Sequence, residues 1–542
     1  MGDTSDLFTP LFSLLFSTRR AEHLLIRADY ALATGLKIIL TMTLPHWNSF
    51  YGITVACSFG FALFGYDSSL MSGVLANKQF KSQFNYPGTT IEGQITSAFD
   101  LGCFITAVIT SIIGNKWSRR STIMIGCSIH IIGGIIQCSS YTIGQLIAGR
   151  LIAGFGNGFI TVAIPVWQSE VTPAHIRGRL NGLLSCINGL GGIIIAWVNY
   201  GMIYVNSPVS WRFPVALQVL LSGLTLVMIP FLGESPRWLI IKSRYDEARA
   251  VLAGLYCEDE QSDIVHTIFL EIKEHVQHEN DVAAESRLKD LFRRKDPLKN
   301  LQRILLGAGS QFMQQWGGIN VILYYATVLF EESLGFDASL SYILSACNQI
   351  NSTISLMICT FFLVDRVGRK PLMFWGALAQ GICYMIVVIA LSIGTKKSSI
   401  VAISFMFGYY TSYGLSWWMV PWLYPAEINS LQYRNTGAAV ATATNWIFNY
   451  VIVLITPTGV GNISWRYYII YAVMNFSFMP LIYYFYEETA GLTLEEIDEL
   501  FEYTDRKKSF REILPFNHRN RTLRRSADQA PEKVEDEFVE DA

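Results

Sequence analysis

Charge is scarce in this chain. Only 15% of its 542 residues are Asp, Glu, Lys or Arg, against about 25% in an ordinary soluble domain. The few charges nearly cancel, 43 acidic against 41 basic, so no basic surface is left for nucleic acid. Nine cysteines are present without a C-x-x-C pair, and all but Cys257 fall inside apolar runs. They read as small buried hydrophobes rather than disulfides or metal ligands. There is no His cluster, no nucleophile–base set and no phosphate loop, so an enzyme, a metal site or a cofactor finds no support. A secretory signal is also missing. The apolar piece LFTPLFSLLF precedes its Arg pair and lacks a small-residue cleavage site.

Long apolar runs are what the chain does have. Hydrophobic residues make up 51% of it, and mean hydropathy is +0.32. Runs long enough to cross a bilayer, which takes about 20 residues, lie at 50–75, 97–113, 122–139, 143–166, 182–204, 212–232, 303–330, 340–364, 371–393, 399–424, 436–456 and 467–486. They predict an all-α membrane protein with twelve transmembrane helices in two six-helix bundles. The expected segments are 1–49 (N-terminal, cytoplasmic), 50–232 (first bundle), 233–300 (central loop, partly helical), 301–486 (second bundle) and 487–542 (tail).

Lys and Arg set the orientation. The connections holding Lys116, Arg119 and Arg120, then Arg177 and Arg179, then Arg366, Arg369 and Lys370 are basic, and stretch 233–300 carries eleven Lys and Arg. These connections, and with them both termini, are expected in the cytoplasm. Lys78, Lys81, Lys396 and Lys397 are the outer exceptions.

The charged clusters recur at half-length. NKWSRRS at 115–121 has a counterpart in VDRVGRKP at 364–371, and SEVTPAHIRG at 169–178 in AEINSLQYRNTG at 426–437. Glu170 precedes Arg177 by the same seven residues that separate Glu427 from Arg434. GESPRW at 233–238 is echoed more weakly by EETAGLT at 487–493. Topology alone explains the sign of these charges but not their matched spacing. A duplicated helical unit does, and two parallel halves around a central site is how secondary transporters are built.

FGYD (64–67), SRR (118–120), PVWQSE (165–170), RGRL (177–180), ESPRWL (234–239), QQWGGINVILYY (314–325), VDRVGRKPL (364–372), PAEI (425–428), NW (445–446) and GLTLEEID (491–498) run from the first span to the tail. Together they resemble the sugar porter family of the major facilitator superfamily, especially its fungal members. The resemblance implies a plasma-membrane carrier for a neutral sugar or polyol. No cofactor is implied, and a monomer is sufficient.

Arg119, Glu170, Arg177, Glu234, Arg369, Glu427 and Arg434 form the candidate cytoplasmic latch. Pairs among them can hold helix ends together, and remaking them is a two-state device for alternating access. Plain structural pairing fits as well. By resemblance they belong to the network that closes the cytoplasmic side. Ser118 stands where that motif usually has Gly, so a local difference in geometry is expected there.

The amides and aromatics of the later spans are the candidate ligand site. Asn and Gln both donate and accept, which suits a ligand covered in hydroxyls, though they also glue helices together. The resemblance places sugar contacts at Gln314, Gln315, Asn320, Tyr325, Trp422, Asn445, Trp446 and Asn449. It departs from the family at Ser185, where Gln is usual, at Thr353, with Asn351 nearby, and at Trp418-Met419.

Asp67 is a lone carboxylate inside the first apolar run. A charge at that depth is costly and is a functional suspect by default. Arg150, the only basic residue of the fourth run, is its expected partner. Burial favours the neutral acid and a nearby guanidinium favours the carboxylate. Separating the pair would switch the acid between its forms, while a permanent pair would only fix packing. Proton-coupled sugar porters have Asp at this place, whereas facilitative relatives commonly have Asn. The resemblance therefore implies sugar–proton symport with Asp67 and Arg150 as the coupling pair. A facilitator or polyol carrier and a sugar sensor are the alternatives. Sensors on this fold often carry a long cytoplasmic tail, and here about 55 residues follow the last run. Asn462-Ile463-Ser464, in the last outer connection, is the glycosylation candidate.

Overall fold

The computed structural model describes residues 50–285, 291, 296, 298–333, 336–492 and 494–502. The segment expected to precede the first bundle and the end of the tail lie outside the described residues. Among the described residues the chain is helical, without strands.

The first half contains α1 (Phe50–Ala76), the short α2 (Lys78–Gln83), α3 (Thr89–Ile113), α4 (Arg119–Cys138), α5 (Ile143–Val171), α6 (Ala174–Met202) and α7 (Val209–Met228). Three further helices follow: α8 (Pro236–Ile241), α9 (Tyr245–Tyr256) and α10 (Asp263–Glu285). They share a small core of Trp238, Leu252, Val265 and Phe269. The second half contains α11 (Asn300–Trp316), α12 (Ile319–Val328), α13 (Ala338–Ile358), α14 (Val364–Val367), α15 (Arg369–Ile393), α16 (Lys396–Gly414), α17 (Val420–Ile428), α18 (Arg434–Ile463) and α19 (Tyr467–Phe485). A last helix, α20 (Leu494–Glu502), docks back on this half. Buried Arg303 pairs with Asp498 at 2.6 Å and lies over the Phe501 ring. Nine helical stretches among the described residues are long and apolar enough to cross a membrane.

The duplication seen in the charges is present in the packing. In the first half α1 packs on α6, α4 on α5, and α4 on α7. In the second half the corresponding pairs are α11 on α18, α15 on α16, and α15 on α19. The halves meet along α3–α18, α6–α13 and α1–α12.

Each half carries the same clasp at its charged end. Arg119, at the start of α4, makes a two-pronged bond to Glu170 at the end of α5, 3.1 and 2.9 Å. Arg369, at the start of α15, does the same to Glu427 at the end of α17, 3.0 and 2.7 Å. Paired N–H donors on a carboxylate are the stronger kind of hydrogen bond. The weak echo between GESPRW and EETAGLT also has a physical basis. Glu234 accepts from the backbone N–H groups of Arg119 and Arg120, 3.2 and 3.4 Å. Glu488 accepts from those of Arg369 and Lys370, 2.9 and 3.0 Å. A carboxylate in each half thus satisfies donors at a helix N-terminus, where the helix dipole favours negative charge. Of the remaining candidate latch residues, Arg434 begins α18, and the side chain of Arg177 lies outside the described set.

The clasps differ where the sequence has Ser118 against Gly368. Ser118 is extended (φ −74°) and caps α4, accepting from Ser121 N–H. Gly368 sits at φ 99°, ψ 161°, a region essentially restricted to glycine. A Cβ there would lie 2.5 Å from Glu488 Oε2. Gly368→Ala is therefore expected to destabilise the protein by about 1–3 kcal/mol, read as a lower Tm of purified protein. Gly88→Ala, at φ −69° with open space around it, is expected to leave the Tm unchanged.

Candidate functional site

Two broken helices build the centre. The first break separates α11 from α12 at Gly317-Gly318, with Gly318 at φ 97°. Backbone freed from a helix at membrane depth must find partners in the protein. Gly317 O accepts from Tyr409 Oη and Asn475 Nδ2, both at 2.9 Å, and Gly318 O from Tyr384 Oη at 2.7 Å. The second break lies between α16 and α17. Open carbonyls at this break and in the first turn of α17 are met by glutamines of α11. Gln314 Nε2 donates to Trp417 O at 2.7 Å and to Trp418 O at 3.3 Å, and Gln311 Nε2 donates to Pro421 O at 2.7 Å.

From these glutamines a buried amide network extends. Asn445 Nδ2 donates to Gln311 Oε1 at 2.7 Å and to Gln314 Oε1 at 3.0 Å. Gln315 Nε2 donates to Gln314 Oε1 at 3.4 Å, and Asn320 Nδ2 to Gln315 Oε1. The structure thus gathers Gln314, Gln315, Asn320 and Asn445, and adds Gln311. Gln314 has both N–H groups and both lone pairs engaged, so in this conformation it acts as a rivet between helices. Tyr325 donates to Val453 O at 2.9 Å. Trp446 is buried against Phe99, Cys103 and Phe64 of the first half. Trp422 is 40% exposed, unlike the buried amides.

Between the halves lies a cavity of about 20 Å³ lined by Ser72, Asn199, Thr327, Tyr342, Asn348 and Gln349, among others. That is room for roughly one water, not for a sugar ring, so binding needs the helices to move. Neither side-chain atom of Asn348 has a protein partner. On this span the count from VDRVGRK put Thr353, with Asn351 nearby, where the family commonly has Asn. The structure instead turns Asn351 to Phe407 O and Thr411 Oγ1, at 3.0 and 3.1 Å, and Thr353 to Gln349 O at 2.9 Å. Counting back from VDRVGRK assumes regular helix. A wider turn at Cys359–Leu363 intervenes and rotates the face.

The end of the bundle away from the clasps is closed. Ser72 Oγ lies 3.2 Å from Thr327 Oγ1, Tyr342 Oη donates to Gly73 O at 2.6 Å, and Thr90 meets Thr458 at 3.4 Å. Asn462 is exposed at this end, at the close of α18.

The expected pairing of Asp67 with Arg150 is corrected. Asp67 Oδ2 lies 2.7 Å from His130 Nε2, and His130 Nδ1 lies 2.8 Å from Ser222 Oγ. Asp67, His130 and Ser222 come from α1, α4 and α7, and all are fully buried. With its proton on Nε2, His130 donates to Asp67 and accepts from Ser222. Doubly protonated, it donates to both. Arg150 is turned elsewhere. It donates to Thr96 O at 3.4 Å and lies over the Phe99 ring at 4.6 Å. The spans were identified from sequence, but the rotation of α5 about its own axis was not. Another buried acid, Asp100 of α3, was missed. Its Oδ1 accepts from Tyr324 at 3.1 Å and Asn449 at 3.2 Å.

A two-part bundle of apolar helices around a buried polar centre, with a duplicated charged clasp, is a membrane transporter of the major facilitator fold, not an enzyme. The chain belongs to the family described as "Sugar (and other) transporter", which matches residues 53–501. It is 38% identical over 464 residues to the MFS-type transporter oryC of Aspergillus oryzae, covering 84% of this chain and 86% of that protein. It is 37% identical to the sugar transporter STL1 of Saccharomyces cerevisiae, covering 83% and 81%. The fold matches the xylose transporter XylE of E. coli in a partially occluded inward-open conformation, with TM-score 0.69, 23% identity, and coverage of 82% of this chain and 99% of XylE.

Asn445→Ala would strip donors from two buried acceptors, on Gln311 and Gln314, at a cost of about 1–3 kcal/mol. A lower Tm is expected. Asn348→Ala breaks no protein hydrogen bond and is expected to leave the Tm unchanged.

Proposed function

We propose that this chain is a plasma-membrane secondary transporter that imports a neutral sugar by alternating access, with protons as the coupled ion. Twelve crossings in two six-helix bundles, with the clasps and both termini in the cytoplasm, complete the reading. It counts α11–α12, α13–α14 and α16–α17 as single interrupted spans. The basic residues around the clasps support that orientation. The expected segments at 1–49, 50–232, 233–300, 301–486 and 487–542 follow from it, and Asn462 then faces the outside.

The observation that carries the proton reading is Asp67. It is wholly buried, shares one oxygen with His130, and leaves Oδ1 without a hydrogen-bond partner. A buried carboxylate in a span is costly unless it is paired or protonated. Its partner here is another residue that can lose its charge. Proton uptake at Asp67 would leave His130 free to become neutral, whereas an arginine partner would stay charged. Arg150 then serves as the nearby fixed cation rather than the direct partner. Neutral substrate follows from the amides, which supply both donors and acceptors without net charge. In this reading Gln315, Asn320, Asn348, Asn445 and Asn449 contact hydroxyls. Trp422 and Trp446 offer apolar ring faces, and Gln314 and Tyr325 position the broken helices. The sugar-transporter relative supports that ligand class.

External pH, followed in transporter-deficient cells expressing the chain as hexoses, pentoses, disaccharides and polyols are added, tests the proposal. Alkalinisation with one of them is expected. Asp67→Asn is expected to abolish it along with accumulation, while exchange of labelled sugar continues. Labelled sugar that equilibrates with no pH change in the parent would make this a facilitative carrier. No uptake of any of these solutes would overturn the sugar reading. With the substrate known, Asn348→Ala is expected to raise KM roughly tenfold, the loss of about one hydrogen bond to a polar ligand.

A further inference from the structure

Asp67 and Asp100 are both wholly buried acids of the first half, but they are held differently. The partner of Asp67, His130, belongs to its own half. Both donors to Asp100, Tyr324 of α12 and Asn449 of α18, belong to the other half. Protonation of Asp67 therefore changes contacts within one half, and protonation of Asp100 changes contacts between the two. Asp100 Oδ2 has no hydrogen-bond partner, so a proton has a place to go. The groups facing Asp100 are few. Arg150 of α5 acts on it through space, Tyr324 and Tyr325 face it from α12, Asn449 is its partner on α18, and Cys103 and Asp67 lie near enough to feel the same charges.

We propose that Asp100 is a second coupling acid, whose carboxylate ties the halves together through Tyr324 and Asn449 and releases them when it is protonated. The proposal rests on the alternating-access reading and deepens it. A carboxylate accepts hydrogen bonds about twice as strong as those a neutral acceptor makes. Ionised Asp100 thus favours the conformation with the outer end shut, and a proton on Oδ2 weakens the tie. The sign follows. The closed state is favoured at high pH and loses its advantage as pH falls through the titration of Asp100. The sugar site is joined to this acid by one residue. Asn449 donates to Asp100 while its own Oδ1 has no partner. A sugar hydroxyl donating to that oxygen would strengthen the amide as a donor.

The test needs no sugar. Ser72, buried at the outer junction against Thr327, is replaced by Cys in the full chain as an accessibility reporter. Intact cells are labelled with a membrane-impermeant maleimide between pH 5 and 8, and the rate from the protein without the reporter is subtracted. Asp100→Asn is compared with the parent at each pH, so the pH dependence of the thiol cancels. The expected result is roughly tenfold faster labelling of D100N at pH 8, with the ratio falling toward one as pH falls. Asp100→Glu is expected to restore the parent's behaviour. Tyr324→Phe, which leaves the acid intact, is expected to speed labelling less and to keep the pH response. Equal rates for D100N, Y324F and the parent at every pH overturn the proposal, as does a ratio that does not change with pH. A wrong substrate class would show in the uptake assay and leave these ratios untouched.

Discussion

A carbonyl that leaves a helix inside a bilayer must be met by a side chain, because no water is there to meet it. Two such openings, at Gly317-Gly318 and between α16 and α17, dictate most of the polar chemistry in the second half. Tyr384, Tyr409 and Asn475 close the first, and Gln311 and Gln314 close the second. Asn445 then holds the two glutamines. The amide network of this half is consequently built around residues that secure the backbone. Both side-chain polar atoms of Asn348 and the Oδ1 of Asn449 stay without a protein partner.

This division explains why amides so close in sequence play different roles. Gln314 and Gln315 are neighbours, yet Gln314 is engaged on all sides and Gln315 is not. Among the described residues the first half has no comparable broken helix, and it carries the buried ionisable groups Asp67, Asp100, His130 and Arg150. The amide network around the two openings thus belongs to the second half, and the buried acids Asp67 and Asp100 belong to the first. Asp100, Tyr324 and Asn449 form the polar contact that joins the two sides near the centre.

The class of fold was legible in the sequence because it rests on long apolar runs and on basic connections, both one-dimensional signals. The charged residues of the clasps stood out as well, since duplication repeats their motifs. The spacing that repeats, however, links Glu170 to Arg177 and Glu427 to Arg434, not to the arginines that grip these glutamates. Even the faint match of GESPRW to EETAGLT marked two glutamates with the same task. What could not be read was rotation about a helix axis. Asp67 was matched to Arg150 because both lie in apolar runs, but α5 turns Arg150 to Phe99 and Thr96, and α4 brings His130. On α13, counting back from VDRVGRK reached Thr353 where the family commonly has Asn, and the residues that line the small cavity are Asn348 and Gln349, because a wide turn is invisible to residue counting. Asp100 and His130 carried the signal that exposed Asp67, an ionisable residue within an apolar run, and an even reading of all the runs would have found them.

The clasps also bear on how the chain is made. Glu234, which secures the start of α4, follows α7, the last long helix of its half. Glu488, which secures the start of α15, follows α19 in the same way. The bond spans 115 residues in one case and 119 in the other. Each half therefore fastens its charged end with its own final residues. The first fastening is available as soon as residue 234 has emerged from the ribosome, while the second half is still unmade. Chains are synthesised from the N-terminus, and domains tend to fold as units in that order. A nascent first half can thus lock its charged end before the second half is made.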